Sequence, residues 1–125
     1  MDKVVHFEIP VDDVGRAVKF YKETFGWDVQ EYPEMKYTIV RTGPVDEKQM
    51  PKEPGFINGG IMKRKHVRNP VITIEVKDVE AALKTVKQNG GKIHSEKTTV
   101  GDMGYAAYIE DSEGNVVGLW QPIKK

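Results

Sequence analysis

The chain has 125 residues, 38% of them hydrophobic and 30% charged, a size and balance typical of one globular domain. Nineteen basic and nineteen acidic side chains leave no net charge to attract nucleic acid or an anionic membrane, and the lack of cysteine excludes disulfides and thiolate chemistry. No apolar run reaches the roughly 20 residues that span a bilayer, and the N-terminus has no signal-peptide core. We therefore expect a cytoplasmic protein without a membrane partner.

Two strand–helix units stand out along the chain. Residues 4–11 read as a strand, and the helical apolar pattern after Asp13 ends at Gly26. Residues 71–76 repeat this arrangement, with Asp78 before the second helix. Both aspartates are suited to cap a helix, since a carboxylate accepts the free N–H groups of the first turn. Further strands are predicted near 27–32, 36–42, 56–63, 92–98, 104–110 and 115–121.

The two halves of the sequence are related by an internal repeat. The strand–helix units superpose without gaps at an offset of 65, which aligns their apolar faces and their capping aspartates. The last strands superpose at an offset of 58, so that Gly60 aligns with Gly118 and Met62 with Trp120. Residues 43–55, which are rich in proline, glycine and charge, read as an exposed loop that accounts for the different offsets.

This repeat predicts one α+β domain over residues 1–125, built from two tandem βαβββ modules. The first module covers about 1–63 and the second about 70–122. The linker at 64–69 overlaps the basic run KRKHVR. Because this run contains no aromatic residue, we predict that it is solvated and does not bind nucleic acid.

Several stretches match the pattern of a known superfamily. They are His6 with Asp13 seven residues later and RAVKFYKETFGW after it, GGIMKR at 59–64, EVKDVEAALKTVKQNGGKI at 75–93 and EDSEGNVVGLWQ at 110–121. In their order and spacing the chain resembles the glyoxalase, bleomycin-resistance and extradiol dioxygenase superfamily (vicinal oxygen chelate proteins), near its lactoylglutathione-lyase-related branch. The resemblance implies that the two modules form a curled half-barrel cleft.

In metal-dependent members, the resemblance places metal ligands at four strand positions. Transferred to this sequence, these positions are His6, Gly60, Val71 and Gly118. Only the histidine can coordinate a metal, and a divalent ion in an open site needs about three protein ligands. We therefore expect no metal and no cofactor. Glu8 and Glu75 lie on strands near these positions, so an unusual ligand set around His6 and Glu8 stays open as an alternative. His66 and His94 are expected to be solvated.

A cleft that binds a small organic molecule is the leading interpretation. His6 is the candidate catalytic residue because imidazole titrates near neutral pH, although the favoured interpretation is a hydrogen-bonded structural histidine in a partly polar cleft. The two repeat-related glycines would let a ligand or backbone approach closely, or would mark a bulge. Met62 and Trp120 could line an apolar pocket, the core or a dimer contact. The candidate cleft residues are His6, Glu8, Gly60, Met62, Tyr105, Gly118 and Trp120.

Three classes of function remain open from the sequence. The first is a superfamily protein without the full metal-ligand set that binds a small molecule. The second is a metal-dependent lyase, isomerase or dioxygenase that uses His6 and Glu8, and the third is a protein that sequesters an antibiotic or toxin. Because superfamily members commonly pair modules across a two-fold axis, we also expect a homodimer.

Overall fold

The computed structural model describes residues 1–123 and contains the βαβββ arrangement twice, which confirms the predicted α+β fold. A 3₁₀ turn at Pro33–Met35 precedes the third strand. The first set of elements is β1 (Lys3–Val11), α1 (Val14–Phe25), β2 (Asp28–Tyr32), β3 (Tyr37–Arg41) and β4 (Asn58–Lys63). The second set is β5 (Val71–Glu75), α2 (Val79–Gln88), β6 (Lys92–Val100), β7 (Gly104–Glu110) and β8 (Val116–Pro122).

Residues 6–70 form one compact unit. Its strands follow the order β2-β3-β4-β1, in which β1 and β4 are parallel and the other neighbours are antiparallel. Val40 and Ile61 are fully buried on one side of these strands. Side chains alternate along a strand, so the other side carries Tyr37, Ile39 and Arg41 of β3.

Within the described residues, 71–123 together with 1–5 form the second compact unit. Its strands follow the order β5-β8-β7-β6, and β5 and β8 are parallel. The apolar core of this unit lies between the strands and α2. It consists of Val76, Val79, Leu83, Ala107, Ile109 and Leu119.

Both predicted helix caps are confirmed. The Asp13 carboxylate accepts a hydrogen bond from the Arg16 N–H at 2.9 Å, and the Asp78 carboxylate accepts one from the Ala81 N–H at 3.1 Å. Gly26 ends α1 with φ of 72°, a left-handed conformation that glycine adopts at little cost. No helix within residues 1–123 combines the length and apolar character needed to cross a membrane.

The two helices differ in how well they are covered. α2 buries Val79 and Leu83, whereas no residue of α1 is fully buried. Phe20 and Phe25 of α1 remain 54% and 60% exposed. The aromatic side of α1 is therefore partly open to solvent.

Candidate functional site

His6, Glu8 and Gly60 lie on one face of the first unit. In the register of β1 and β4, Glu8 is opposite Gly60, and Gly60 is in turn opposite Ile39 of β3. Tyr37 shares this side with Ile39 because the two residues are separated by one position along the strand. We call this surface the Tyr37 face.

Three polar side chains of the Tyr37 face form a hydrogen-bonded cluster. The Tyr37 hydroxyl lies 2.8 Å from His6 Nε2 and donates to Glu8 Oε2 at 2.9 Å. Glu8 is buried at 8% exposure, whereas the imidazole and the phenol are half-buried. The His6–Tyr37–Glu8 cluster thus joins an imidazole, a phenol and a buried carboxylate through one oxygen atom.

The hydrogen bonds indicate where the protons lie. A tyrosine hydroxyl has one proton, and here it goes to Glu8, so His6 Nε2–H must donate to the Tyr37 oxygen. Burial lowers the pKa of His6 below its ordinary value of 6.5, and the neighbouring Glu8 carboxylate offsets part of this effect. The imidazole is therefore neutral at neutral pH, with its proton on Nε2. Such a chain can hold a ligand oxygen or relay a proton.

The space above Gly60 is not open. A Cβ atom at this position would overlap the hydroxyl and ring of Tyr37. The sequence had suggested that this glycine lets a ligand or a backbone segment come close, or that it marks a bulge. Instead, it makes room for a tyrosine from the neighbouring strand.

Met62 joins the same face, and Glu75 belongs to the second unit. Met62 is half-buried and lies opposite Pro10 in the register of β1 and β4. Glu75 is exposed. Within residues 1–123, no three histidine, aspartate or glutamate side chains are grouped so that they could hold a metal ion.

The second unit places Gly118 and Trp120 on a common face. A Cβ atom at Gly118 would come within 2.8 Å of the Thr73 hydroxyl, and the Trp120 ring lies over Gly104. Val71, the remaining transferred ligand position, is an apolar residue with 2% exposure. Both repeat-related glycines, 60 and 118, therefore lie beneath a hydroxyl-bearing side chain of a neighbouring strand.

The structure does not bring Tyr105 to the face that carries Trp120. Trp120 is opposite Ala106 and Gly118 is opposite Tyr108, so Tyr108 shares that face. Tyr105 points to the opposite side, where it packs against the apolar core beneath α2, and its ring lies 4.2 Å from the Lys97 ammonium. Tyr105 is therefore not brought together with Gly118 and Trp120, because strand alternation reverses between neighbouring positions, and its role as a cleft residue stays a prediction.

The two other histidines differ from each other. His66 is exposed, as expected for the linker. His94 is half-buried, and its Nδ1 lies 3.6 Å from Glu110 Oε2, so the expectation that it is solvated was wrong. The basic run is also partly fixed in place, because the Arg64 guanidinium pairs with Asp12 at 2.8 Å.

Sequence reasoning missed Tyr37 and Arg41. Tyr37 opens β3, and Arg41 ends it on the same face. The Arg41 guanidinium donates to the side-chain amide oxygens of Gln30 and Gln49. The alternation of side chains along β3 indicates that both residues lie on one side of the strand. Which residues of the neighbouring strands share that side could not be predicted without the strand register.

Comparison with known proteins places the chain in a family. Residues 3–43 match the family model described as bleomycin resistance protein-like N-terminal. A lactoylglutathione lyase of Haemophilus influenzae is 30% identical over 117 residues, which cover 90% of this chain and 87% of that protein. The chain belongs to the glyoxalase and bleomycin-resistance superfamily. A glyoxylase-like domain-containing protein of Didymella fabae is 33% identical, with coverage of 86% and 84%.

Solved structures support the same fold assignment. Methylmalonyl-CoA epimerase of Streptomyces coelicolor, solved with 2-nitronate-propionyl-CoA, matches with a TM-score of 0.66. The match covers 98% of each chain at 15% identity. At this identity the likeness concerns the fold, and the function has to be argued from the residues of this superfamily member.

Proposed function

We propose that this superfamily member binds a small organic molecule at the Tyr37 face without a divalent metal held by protein ligands. The observation that carries the proposal is the position of the Tyr37 hydroxyl. It covers Gly60 and bonds to both His6 and Glu8. A hydroxyl thus lies between the two side chains that an unusual metal site would use.

The donor set does not fit the metal that the superfamily implies. Of the four transferred positions, His6 alone has a coordinating side chain, and Glu8 is the only added donor of the cluster. A catalytic divalent ion is normally held by three protein ligands and keeps an open position. An ion between His6 and Glu8 would also have to displace the Tyr37 hydroxyl, at the cost of two hydrogen bonds.

The cluster can instead recognise an organic ligand directly. Its imidazole is neutral, its phenol oxygen can still accept a hydrogen bond, and both side chains are half-buried rather than closed off. Met62 adds a polarisable apolar side chain to the same face. Polar groups of this kind on a partly apolar surface are typical of small-molecule sites. We assign His6 to orienting the ligand or accepting a proton from it, and Glu8 to fixing the Tyr37 hydroxyl.

A metal-dependent lyase is the second candidate, favoured by the named lactoylglutathione lyase among the relatives. Such an activity would require His6 and Glu8 to rearrange around an ion. The metal-dependent lyase would be stabilised by a divalent metal ion, whereas the proposed binding protein would be stabilised by an organic ligand. Thermal unfolding can measure this difference.

Thermal unfolding of the full chain tests the proposal. A ligand at 100 times its dissociation constant stabilises a fold by about 2.7 kcal/mol, which shifts the melting temperature of a domain of this size by roughly 10 °C. We expect no such shift with zinc, nickel, manganese or iron(II). A screen of small aromatic and aliphatic compounds should yield a ligand whose NMR shift changes map to His6, Tyr37 and Met62.

His6→Ala separates the two candidates. Under the proposal, this variant binds the organic ligand more weakly. Metal ions shift its melting temperature no more than they shift that of the wild type. A metal-induced shift of about 10 °C in the wild type that His6→Ala abolishes would support the lyase and reject the proposal. An empty screen would reject small-molecule binding.

We also propose that the protein is a homodimer. The exposed rings of Phe20 and Phe25 on α1 support this assembly, since large aromatic side chains are usually covered. The cytoplasmic location stays a prediction from the sequence.

A further inference from the structure

Arg41 presents a positive charge at the end of β3 on the Tyr37 face. Its Nη2 donates to Gln30 Oε1 at 2.6 Å and to Gln49 Oε1, both of which are neutral acceptors. Asp28 is its register partner on β2, yet within residues 1–123 the guanidinium forms no ion pair. The two amides therefore hold the group in place without neutralising its charge.

The backbone near this face is strained at two points. Among the described residues, Lys36 and Gln49 are the non-glycine residues with positive φ, at 53° and 66°. Lys36 directly precedes Tyr37, and the side chain of Gln49 contacts Arg41. Such conformations cost of order 1 kcal/mol or more and cluster at functional sites. Both therefore adjoin the residues that define this face.

Gln49 lies in a turn that several hydrogen bonds stabilise. The Asp46 carboxylate accepts hydrogen bonds from the N–H groups of Lys48 and Met50, and the Gln49 N–H donates to the Asp46 carbonyl at 2.9 Å. These bonds fix a tight turn in the loop after β3. The amide that contacts Arg41 therefore comes from a hydrogen-bonded turn within the exposed loop.

The spacing along β3 defines what could lie across this face. Tyr37 and Arg41 are four residues apart on one strand, which corresponds to about 13 Å at roughly 3.3 Å per residue. Ile39 lies between them on the same side. The face therefore offers a hydroxyl at one end, an apolar centre and a fixed cation at the other end.

We propose that the ligand is an organic anion whose carboxylate pairs with Arg41 and whose apolar body crosses Ile39 towards the His6–Tyr37–Glu8 cluster. The inference rests on the proposed function and adds the chemical class of the ligand. A guanidinium forms strong charge-assisted hydrogen bonds to a carboxylate. Because both paired donor edges of the guanidinium include Nη2, which is directed to the two glutamines, an N–H group on Nη1 or on Nε remains to donate singly to a carboxylate oxygen.

Octanoate and octanamide test the inference because they share an alkyl chain and differ in the charge of the head group. NMR titration of the full wild-type chain should show octanoate binding at least about tenfold more tightly than octanamide. Arg41→Met should remove this preference by weakening the binding of octanoate. Arg68→Met, which removes an exposed cation of the linker, is the matched control and should preserve the preference.

The outcomes distinguish this inference from the proposed function. Equal binding of the two probes to the wild type overturns the carboxylate assignment and leaves small-molecule binding intact. A preference for octanoate that survives in Arg41→Met, with folding verified by thermal unfolding, also overturns it. If neither probe binds, the carboxylate assignment is wrong, whereas the proposed function fails only if the broader compound screen is also empty.

Discussion

The hydroxyl of Tyr37 lies directly over the α-carbon of Gly60, in the space that any other side chain at position 60 would fill. The two residues belong to adjacent antiparallel strands, where Gly60 is opposite Ile39. The same hydroxyl joins His6 and Glu8. The missing side chain at position 60 is therefore a condition for the polar cluster to form.

Gly60→Ala should destabilise the protein by about 1–3 kcal/mol, the range found for overpacked sites. The added methyl group would push the phenol away and break its bonds to His6 and Glu8, each worth about 1 kcal/mol. Chemical denaturation with a two-state fit measures the change.

Two further variants identify the cause. In a Tyr37→Ala background, Gly60→Ala should cost much less, with a coupling of about 1–2 kcal/mol in the double-mutant cycle. Gly15→Ala is the control, because a Cβ there meets only Asp13 at an ordinary 3.6 Å, and alanine favours a helix. Additive effects of the Tyr37 and Gly60 substitutions would contradict the steric explanation.

Stability should fall as the pH drops below 6.5. Burial lowers the pKa of His6 in the folded state, so the unfolded chain takes up a proton on this residue before the folded chain does. Stability is complete above the unfolded pKa near 6.5 and declines below it, with a slope of at most about 1.4 kcal/mol per pH unit from this group. Denaturation curves between pH 7.5 and 5.5, values that span about one unit on either side of 6.5, record the slope.

His6→Gln should flatten this pH dependence, whereas His66→Gln, which removes an exposed linker imidazole, should keep it. A wild-type slope that persists in His6→Gln would assign the effect to another group. Stability that rises on acidification would reverse the predicted sign.

Local signals were sufficient for the elements of the fold. Asp13 and Asp78 precede helical patterns with matching apolar faces, and both cap helices in the structure. The alternation of each strand and the internal repeat were also enough to predict two βαβββ modules. These features depend on neighbouring residues, so they can be read without knowing which strands pair.

The site depends on contacts that the sequence does not encode locally. His6 and Tyr37 are 31 residues apart and meet only through the order β3-β4-β1. Tyr105 lies on the opposite face from Trp120, because a shift of one position along β7 exchanges the two sides of the strand. His94 acquires Glu110 as a partner through the pairing of β6 with β7. Register therefore decides which polar residues come together.

The oligomeric state should depend on α1. We expect a dimer in solution at micromolar concentration, and Phe25→Ser should weaken it if the exposed aromatic side chains are covered. Sedimentation velocity measures both. Met50→Ser, which removes a similarly exposed apolar residue from a loop, should leave the dimer intact. A mass near 14.2 kDa for the wild type at micromolar concentration would refute the dimer.

A metal site should form when the Tyr37 hydroxyl is removed and a third metal ligand is added at position 60. The Tyr37→Ala/Gly60→Glu double variant clears the hydroxyl from between His6 and Glu8 and adds a carboxylate on the same face. One imidazole and two carboxylates form a ligand set suited to zinc or nickel, with water in the open positions. Calorimetric titration should show at least about tenfold tighter binding than the wild type.

Two comparisons decide whether Tyr37 is the obstacle. Tyr37→Ala alone provides space but only two donors, so it should bind zinc much more weakly than the double variant. Adding His6→Ala to the double variant should remove the gain, because one of its three donors is lost. Equal zinc affinity in Gly60→Glu alone and in the double variant would show that the tyrosine does not block coordination. No gain in a folded double variant would show that the strands hold the three donors too far apart.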